Sequence, residues 1–258
     1  MADTGILAIC GKGGVGKTSI SALMVKKLAE GTGKKILAID ADPAVGLAGS
    51  LGIRVRTTVD DIRKRLIAAI GKGQAAQDRE TLNRLDYEIF EALEEREGFA
   101  LLAIGRPEDE GCFCRVNKLL KDIIGDLAGT FDTVLIDGEA GVEQINRRVM
   151  KTVDHLVLIS DTSAKGINIA NTIAHVAVDN RAVDFRSMGL ILNRVRSEDE
   201  VREIRRKTAL DIYGWIPEDD FIRDFDFRGR PLTEIPVASP SPGVIAEILA
   251  AMKILPES

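Results

Sequence analysis

Eight consecutive residues, Gly11-Lys12-Gly13-Gly14-Val15-Gly16-Lys17-Thr18, satisfy the spacing G-x-x-x-x-G-K-[ST]. Glycines at these places let successive backbone N–H groups turn inward around phosphate oxygens, and a helix beginning there adds its positive N-terminal end. Lys17 then reaches the β- and γ-phosphates and the Thr18 hydroxyl completes a Mg²⁺ shell, with Ser19 next in the first helical turn. Carboxylates suited to the same chemistry follow two apolar runs. Asp40 and Asp42 stand in Asp40-Ala41-Asp42-Pro43, and Asp137 ends Thr133-Val134-Leu135-Ile136-Asp137 in the form of a Walker B element. Asp137 is expected to hold a Mg²⁺ water and Asp40 to support that shell, which makes Thr18, Asp40 and Asp137 the expected Mg²⁺ set. An Asp-x-Asp-Pro run also suits a helix cap. Gly138 to Glu143 reads as a mobile switch reporting the γ-phosphate.

A second chemistry is offered by Cys112-Phe113-Cys114. In an extended segment residues i and i+2 point the same way, so both sulfurs could aim at one metal ion, with Arg115 and a nearby helix N-terminus favouring thiolates. Two thiolates do not complete a tetrahedral centre. A two-fold dimer would supply the other two. Both cysteines could instead be inert core residues, as Cys10, at the end of an apolar strand, is expected to be.

These groups need a scaffold that brings strand ends together. Apolar runs of strand length recur at Ile6 to Cys10, Ile36 to Ile39, Ala100 to Ile104, Val134 to Ile136, Leu156 to Ile159 and Leu190 to Leu192. Such continuous runs suit strands buried on both faces. Helical spacing lies between them, most clearly at Val116, Leu119, Leu120, Ile123, Ile124 and Leu127. The alternation predicts an α/β fold: a mostly parallel central sheet with helices on both faces and ligands at the carboxyl ends of strands. Residues 1–258 are read as a single P-loop NTPase domain. The charged stretch from Thr57 to Glu97 is expected to be a helical insertion without strands, and Val244 to Ile254 a final helix packed on the sheet.

The run Lys-Gly-Gly-Val-Gly-Lys-Thr, with its second lysine at Lys12, resembles the deviant Walker A signature of the MinD/ParA/nitrogenase-iron-protein family. The resemblance implies ATP and ADP as ligands and a homodimer in which Lys12 crosses to the partner's nucleotide. It implies catalytic roles for Lys12, Lys17 and Asp42, the last as the residue that activates water. It also implies that Asn193, with Arg194, reads adenine, and that Tyr213 to Pro217 is a loop that covers the base with backbone contacts around Pro217. Together with the cysteine turn, the sequence resembles CooC-type ATPases that mature nickel-containing carbon monoxide dehydrogenase, or the related factor for acetyl-CoA synthase. That likeness makes Cys112 and Cys114 ligands of Ni²⁺, or of Zn²⁺, between subunits, and makes a nickel enzyme the client. Two other readings stay open: an iron–sulfur reductase carrying a [4Fe–4S] cluster, and a ParA/MinD-like positioning ATPase.

Composition narrows the classes. A net charge of −5 gives no overall basic field for nucleic acid. The Lys/Arg clusters at Arg63 to Arg65 and Arg202 to Arg206 are expected to be solvated helix faces. No apolar run approaches bilayer length, the first residues lack the pattern of a secretory signal, and a cytoplasmic location without membrane contact is the expectation. His155 and His175 are expected to be structural.

Overall fold

A computed structural model of the chain describes residues 5–71, 79–106, 114–138, 149, 152–179 and 183–256. The apolar runs become strands β1 (Gly5–Gly11), β2 (Ile36–Asp40), β4 (Phe99–Ala103), β5 (Thr133–Asp137), β6 (Thr152–Asp161) and β7 (Asp184–Val195). Two further strands lie outside those runs. Glu94–Arg96 forms β3 and Ile212–Pro217 forms β8. The eight strands make one sheet in the order β3-β4-β2-β5-β1-β6-β7-β8, parallel throughout except for the antiparallel pairing of β3 with β4.

Side chains that alternate along each strand fill two cores, one on each face. Leu7 and Ile9 pack with helix α1 (Lys17–Thr32), the short helix α2 (Gly46–Ser50) and the last described helix, α9 (Ser241–Ala251). Ala8 and Cys10 face the opposite core with α3 (Val59–Gly71), α4 (Arg79–Glu91), α5 (Cys114–Ala128), α6 (Ala164–Asp179) and α7 (Glu198–Arg205). Helix α8 (Asp220–Phe227) follows β8. The expected α5 stripe is present, with Val116, Leu120 and Ile124 buried and Leu119, Ile123 and Leu127 packed against them. The last helix also packs as expected, through Ile245, Ile248 and Leu249, and begins three residues earlier than its apolar run.

Three expectations are corrected. The 57–97 stretch is not free of strands, since β3 closes it; the buried Glu94 carboxylate takes Arg56 as a two-point partner at 2.9 and 3.2 Å, which lets a charged three-residue edge strand form. Tyr213 to Pro217 is a strand rather than a loop. Arg63 is not on a solvated face: it is buried beside Asp60, with its Nε 2.8 Å from Oδ1. Both histidines lie in regular elements. His155, in β6, places Nδ1 2.8 Å from Ser187 Oγ, and His175 is exposed on α6. No helix among the described residues is long and apolar enough to cross a membrane.

Candidate functional site

Parallel pairing puts the strand ends named from sequence on one edge of the sheet. Asp40 lies opposite Asp137, Gly11 opposite Ile159, and Asp161 opposite Asn193. The phosphate loop leaves the central strand β1 at this edge and enters α1 at Lys17, as the spacing predicts. Two of its glycines are required. At Gly11 φ is 150° and a Cβ would stand 2.2 Å from the Ile159 carbonyl oxygen. Gly16, the N-cap of α1, has φ 92° and a Cβ there would stand 2.4 Å from Asn193 Nδ2. The first turn of α1 holds no acidic residue, so its positive end is not neutralised by the chain itself.

Lys17 is 8% exposed and its ammonium donates to the Lys12 carbonyl at 3.3 Å. Asp137 is fully buried; Oδ1 accepts from Ser21 Oγ at 2.9 Å, the Thr18 hydroxyl is near enough to favour the ionised carboxylate, and Oδ2 has no hydrogen-bond partner. A buried carboxylate oxygen without a donor, next to a hydroxyl, suits a hydrated Mg²⁺ carried in with nucleotide phosphates. When bound, that ion neutralises charge on the phosphates during transfer.

Asp40 has a structural role that its place at a strand end does not reveal. Its Oδ2 accepts from the backbone N–H groups of Leu47 and Ala48 at 2.9 and 3.2 Å, and Oδ1 from that of Asp42 at 3.3 Å. Asp40 therefore anchors α2 and the turn before it. Asp42 closes that turn, its Oδ1 accepting from Ala44 N at 2.8 Å, and its charge is felt at Asp137.

Two neighbours in β7 grip the loop from the other side. Asn193, expected to read adenine, donates through Nδ2 to the Val15 carbonyl at 2.8 Å. Arg194, in the left-handed region at φ 57°, donates through Nη1 to the Gly14 carbonyl at 3.2 Å. Pro217 ends β8 opposite Val195. The Lys12 side chain is 29% exposed, and its Nζ stands 3.9 Å from Asp161 Oδ2. Ser21 and Asp161 carry no motif of their own; only the strand register and one helical turn bring them to the site. Cys10 is buried as expected, and burial pushes its thiol up to about 12. Cys112 lies outside the described residues, as do 139–143. Cys114 is the first residue of α5, so the extended geometry expected for the cysteine turn does not extend to it. Among the described residues no group of three or more His, Cys, Asp or Glu is placed to hold a metal.

The model of the CobQ/CobB/MinD/ParA nucleotide-binding domain matches residues 6–232. The chain belongs to this family. An uncharacterized ATP-binding protein of Methanocaldococcus jannaschii is 37% identical over 233 residues, 90% of this chain and 91% of that protein. The carbon monoxide dehydrogenase accessory protein CooC of Rhodospirillum rubrum is 29% identical, covering 86% and 87%. Among solved structures, the septum site-determining protein MinD complexed with Mg-ADP from Pyrococcus horikoshii superposes with a TM-score of 0.68 at 23% identity, over 98% and 96% of the two chains. MinD of Aquifex aeolicus gives 0.70 at 23% identity, over 99% and 98%. The fold is thus that of the MinD/ParA P-loop NTPases, and the chain is an ATPase of that family.

Burial sets the titration of both carboxylates at this edge of the sheet. Burial, and then the charge of Asp137, pushes Asp40 up to about 7; burial pushes Asp137 up to about 6 against the opposing Ser21, Thr18 and Lys17. A folded-state value raised above the unfolded one means the folded chain holds protons that the unfolded chain releases. This contribution to stability is full below the unfolded value of 3.8 and is lost as pH rises through the folded values. Nucleotide-free protein is therefore expected to melt at a higher temperature at about pH 5 than at about pH 8. Saturating Mg-ADP should flatten the difference. Calorimetry at the two pH values checks this; a melting point that rises with pH in the nucleotide-free state would contradict it.

Proposed function

We propose that this ATPase is a dimeric metal-delivery factor that binds Ni²⁺ through Cys112 and Cys114 of two subunits and, coupled to ATP hydrolysis, inserts it into carbon monoxide dehydrogenase or acetyl-CoA synthase. The observation that carries the reading is the presence in one chain of a partly exposed Lys12 in the phosphate loop and of the sequence Cys112-Phe113-Cys114, whose last residue opens α5. Helix α5, which begins at Cys114, follows β4 in the chain, and the carboxyl end of β4 shares the sheet edge with the phosphate loop, which supports this reading. The likeness to the CooC accessory protein over most of both chains supports the choice of client.

In this mechanism Lys17 and Lys12 contact the terminal phosphates, Lys12 from across the dimer. Asp42 orients the attacking water, and Asn193 and Pro217 border the adenine. ATP binding closes the dimer and assembles four thiolates; hydrolysis reopens it and frees the metal. A membrane-positioning role of the MinD kind is less well supported, because α9 buries its apolar residues in the core instead of presenting them to a bilayer.

Equilibrium dialysis of anaerobically prepared protein, with a non-hydrolysable ATP analogue, is expected to find about one Ni²⁺ or Zn²⁺ per two chains, from four-thiolate coordination. The Cys112→Ser/Cys114→Ser protein should bind none yet keep its ATPase activity. Equal metal in both proteins would refute the site, and iron with sulfide in the parent would favour a cluster carrier.

A further inference from the structure

We propose that Asp161 is a positioning residue for Lys12, holding that lysine within its own subunit and so setting how much ATP is needed to close the dimer. The inference rests on the dimer reading above.

Asp161 is the last residue of β6, and its carboxylate is fixed before Lys12 meets it. Oδ1 accepts from the Ser163 backbone N–H at 3.2 Å and from the Ser163 hydroxyl, whose oxygen in turn accepts from Gly166 N at 3.0 Å. The first turn of α6 is packed tightly on this arrangement: a Cβ at Gly166 would stand 2.2 Å from Asp161 Oδ1. The carboxylate is therefore held through Oδ1, and Oδ2 remains for Lys12 Nζ at 3.9 Å. The backbone of Lys12 is restrained as well, through the bond from Lys17 to its carbonyl. The ammonium of Lys12 thus faces the carboxylate that ends β6.

The pair is more than a quarter exposed on both sides, so solvent screens it. It is weak enough for phosphates to displace, yet it must break before Lys12 can reach a second subunit. Removing it is expected to favour closure by up to about fivefold, which is what about 1 kcal/mol amounts to at 1.36 kcal/mol per tenfold.

Sedimentation velocity across a titration of a non-hydrolysable ATP analogue with Mg²⁺ tests this on the full chain. Asp161→Asn should reach half-maximal dimer at about one-fifth of the parent's analogue concentration, and Asp161→Glu should move back toward the parent. Affinity of the single subunit for fluorescent ADP should stay unchanged, which a merely structural role for Asp161 would not allow. Lys12→Ala should stay monomeric, and Lys12→Ala/Asp161→Asn should behave as Lys12→Ala does. If Asp161→Asn folds poorly, Asp161→Ser, whose hydroxyl can keep the turn's hydrogen bonds, replaces it in the same titration. A parent that never dimerises, or Lys12→Ala dimerising as the parent does, overturns the dimer reading and this inference with it. A parent and Lys12→Ala that behave as expected, with a midpoint for the Asp161 variant at or above the parent's, overturn the role of Asp161 alone.

Discussion

Asp137→Asn is expected to be more stable than the parent without nucleotide and nearly inactive with it. The substitution keeps the shape of the side chain and leaves Ser21 an oxygen to donate to, but removes a charge that is fully buried and faces the Asp40 carboxylate across the β2–β5 pairing. Burial raises Asp137 from 3.8 to about 6, so an ionised Asp137 weakens the nucleotide-free fold at neutral pH. At 1.36 kcal/mol per pKa unit the relief is on the order of 1–3 kcal/mol. Hydrolysis should move the other way. The partnerless Oδ2 is the group suited to a Mg²⁺ water, and loss of one preorganised electrostatic contact to a transition state lowers turnover by roughly 100- to 1,000-fold. The variant's melting point should also change less with pH than the parent's. Calorimetry and steady-state hydrolysis check both halves; a variant that melts below the parent and hydrolyses ATP within about tenfold of it would contradict the assignment.

Gly11→Ala is expected to damage fold and activity together. The added methyl meets the backbone of Ile159, its direct partner in the β1–β6 pairing, and a backbone atom cannot rotate aside as a side chain can. Overpacking of this kind costs about 1–3 kcal/mol, and a side chain at φ 150° adds backbone strain of similar size. Two to four degrees per kcal/mol for a chain of this length gives a fall in melting temperature of roughly 5–15 °C. ATPase activity should fall more steeply than stability, because relief of the clash displaces the first residue of the loop. A Gly11→Ala protein with parental melting and turnover would show that β1 and β6 part freely at this edge.

The phosphate loop, the Walker B strand and six of the eight strands were legible because each is written locally: a fixed spacing of glycines and lysine, or an unbroken apolar run buried on both faces. What was not legible depends on neighbours distant in sequence. Strand β3 consists of Glu-Glu-Arg and exists through its pairing with β4 and the grip of Arg56 on Glu94. Strand β8 contains the Gly-Trp-Ile-Pro run that reads as a loop, yet Gly214 lets Ile248 of α9 pack close to it. Arg63 looked solvated because its charge is local information, whereas its burial beside Asp60 is not. The same holds in the site. The place of Asp40 at a strand end is local information, whereas the backbone donors that bond its carboxylate come from the segment that folds back over it. Asn193 was singled out from a family pattern, and its bond to Val15 spans 178 positions of sequence.

The grip of Asn193 and Arg194 on the loop also bears on how fast nucleotide can be captured. Their hydrogen bonds turn the carbonyls of Val15 and Gly14 toward β7, and a peptide unit whose carbonyl is held on one side presents its N–H on the other. The cradle is shaped when the chain folds, so little backbone entropy remains to be lost when phosphate arrives. Encounter with nucleotide is then expected to proceed as a collision with a receptor that is already shaped.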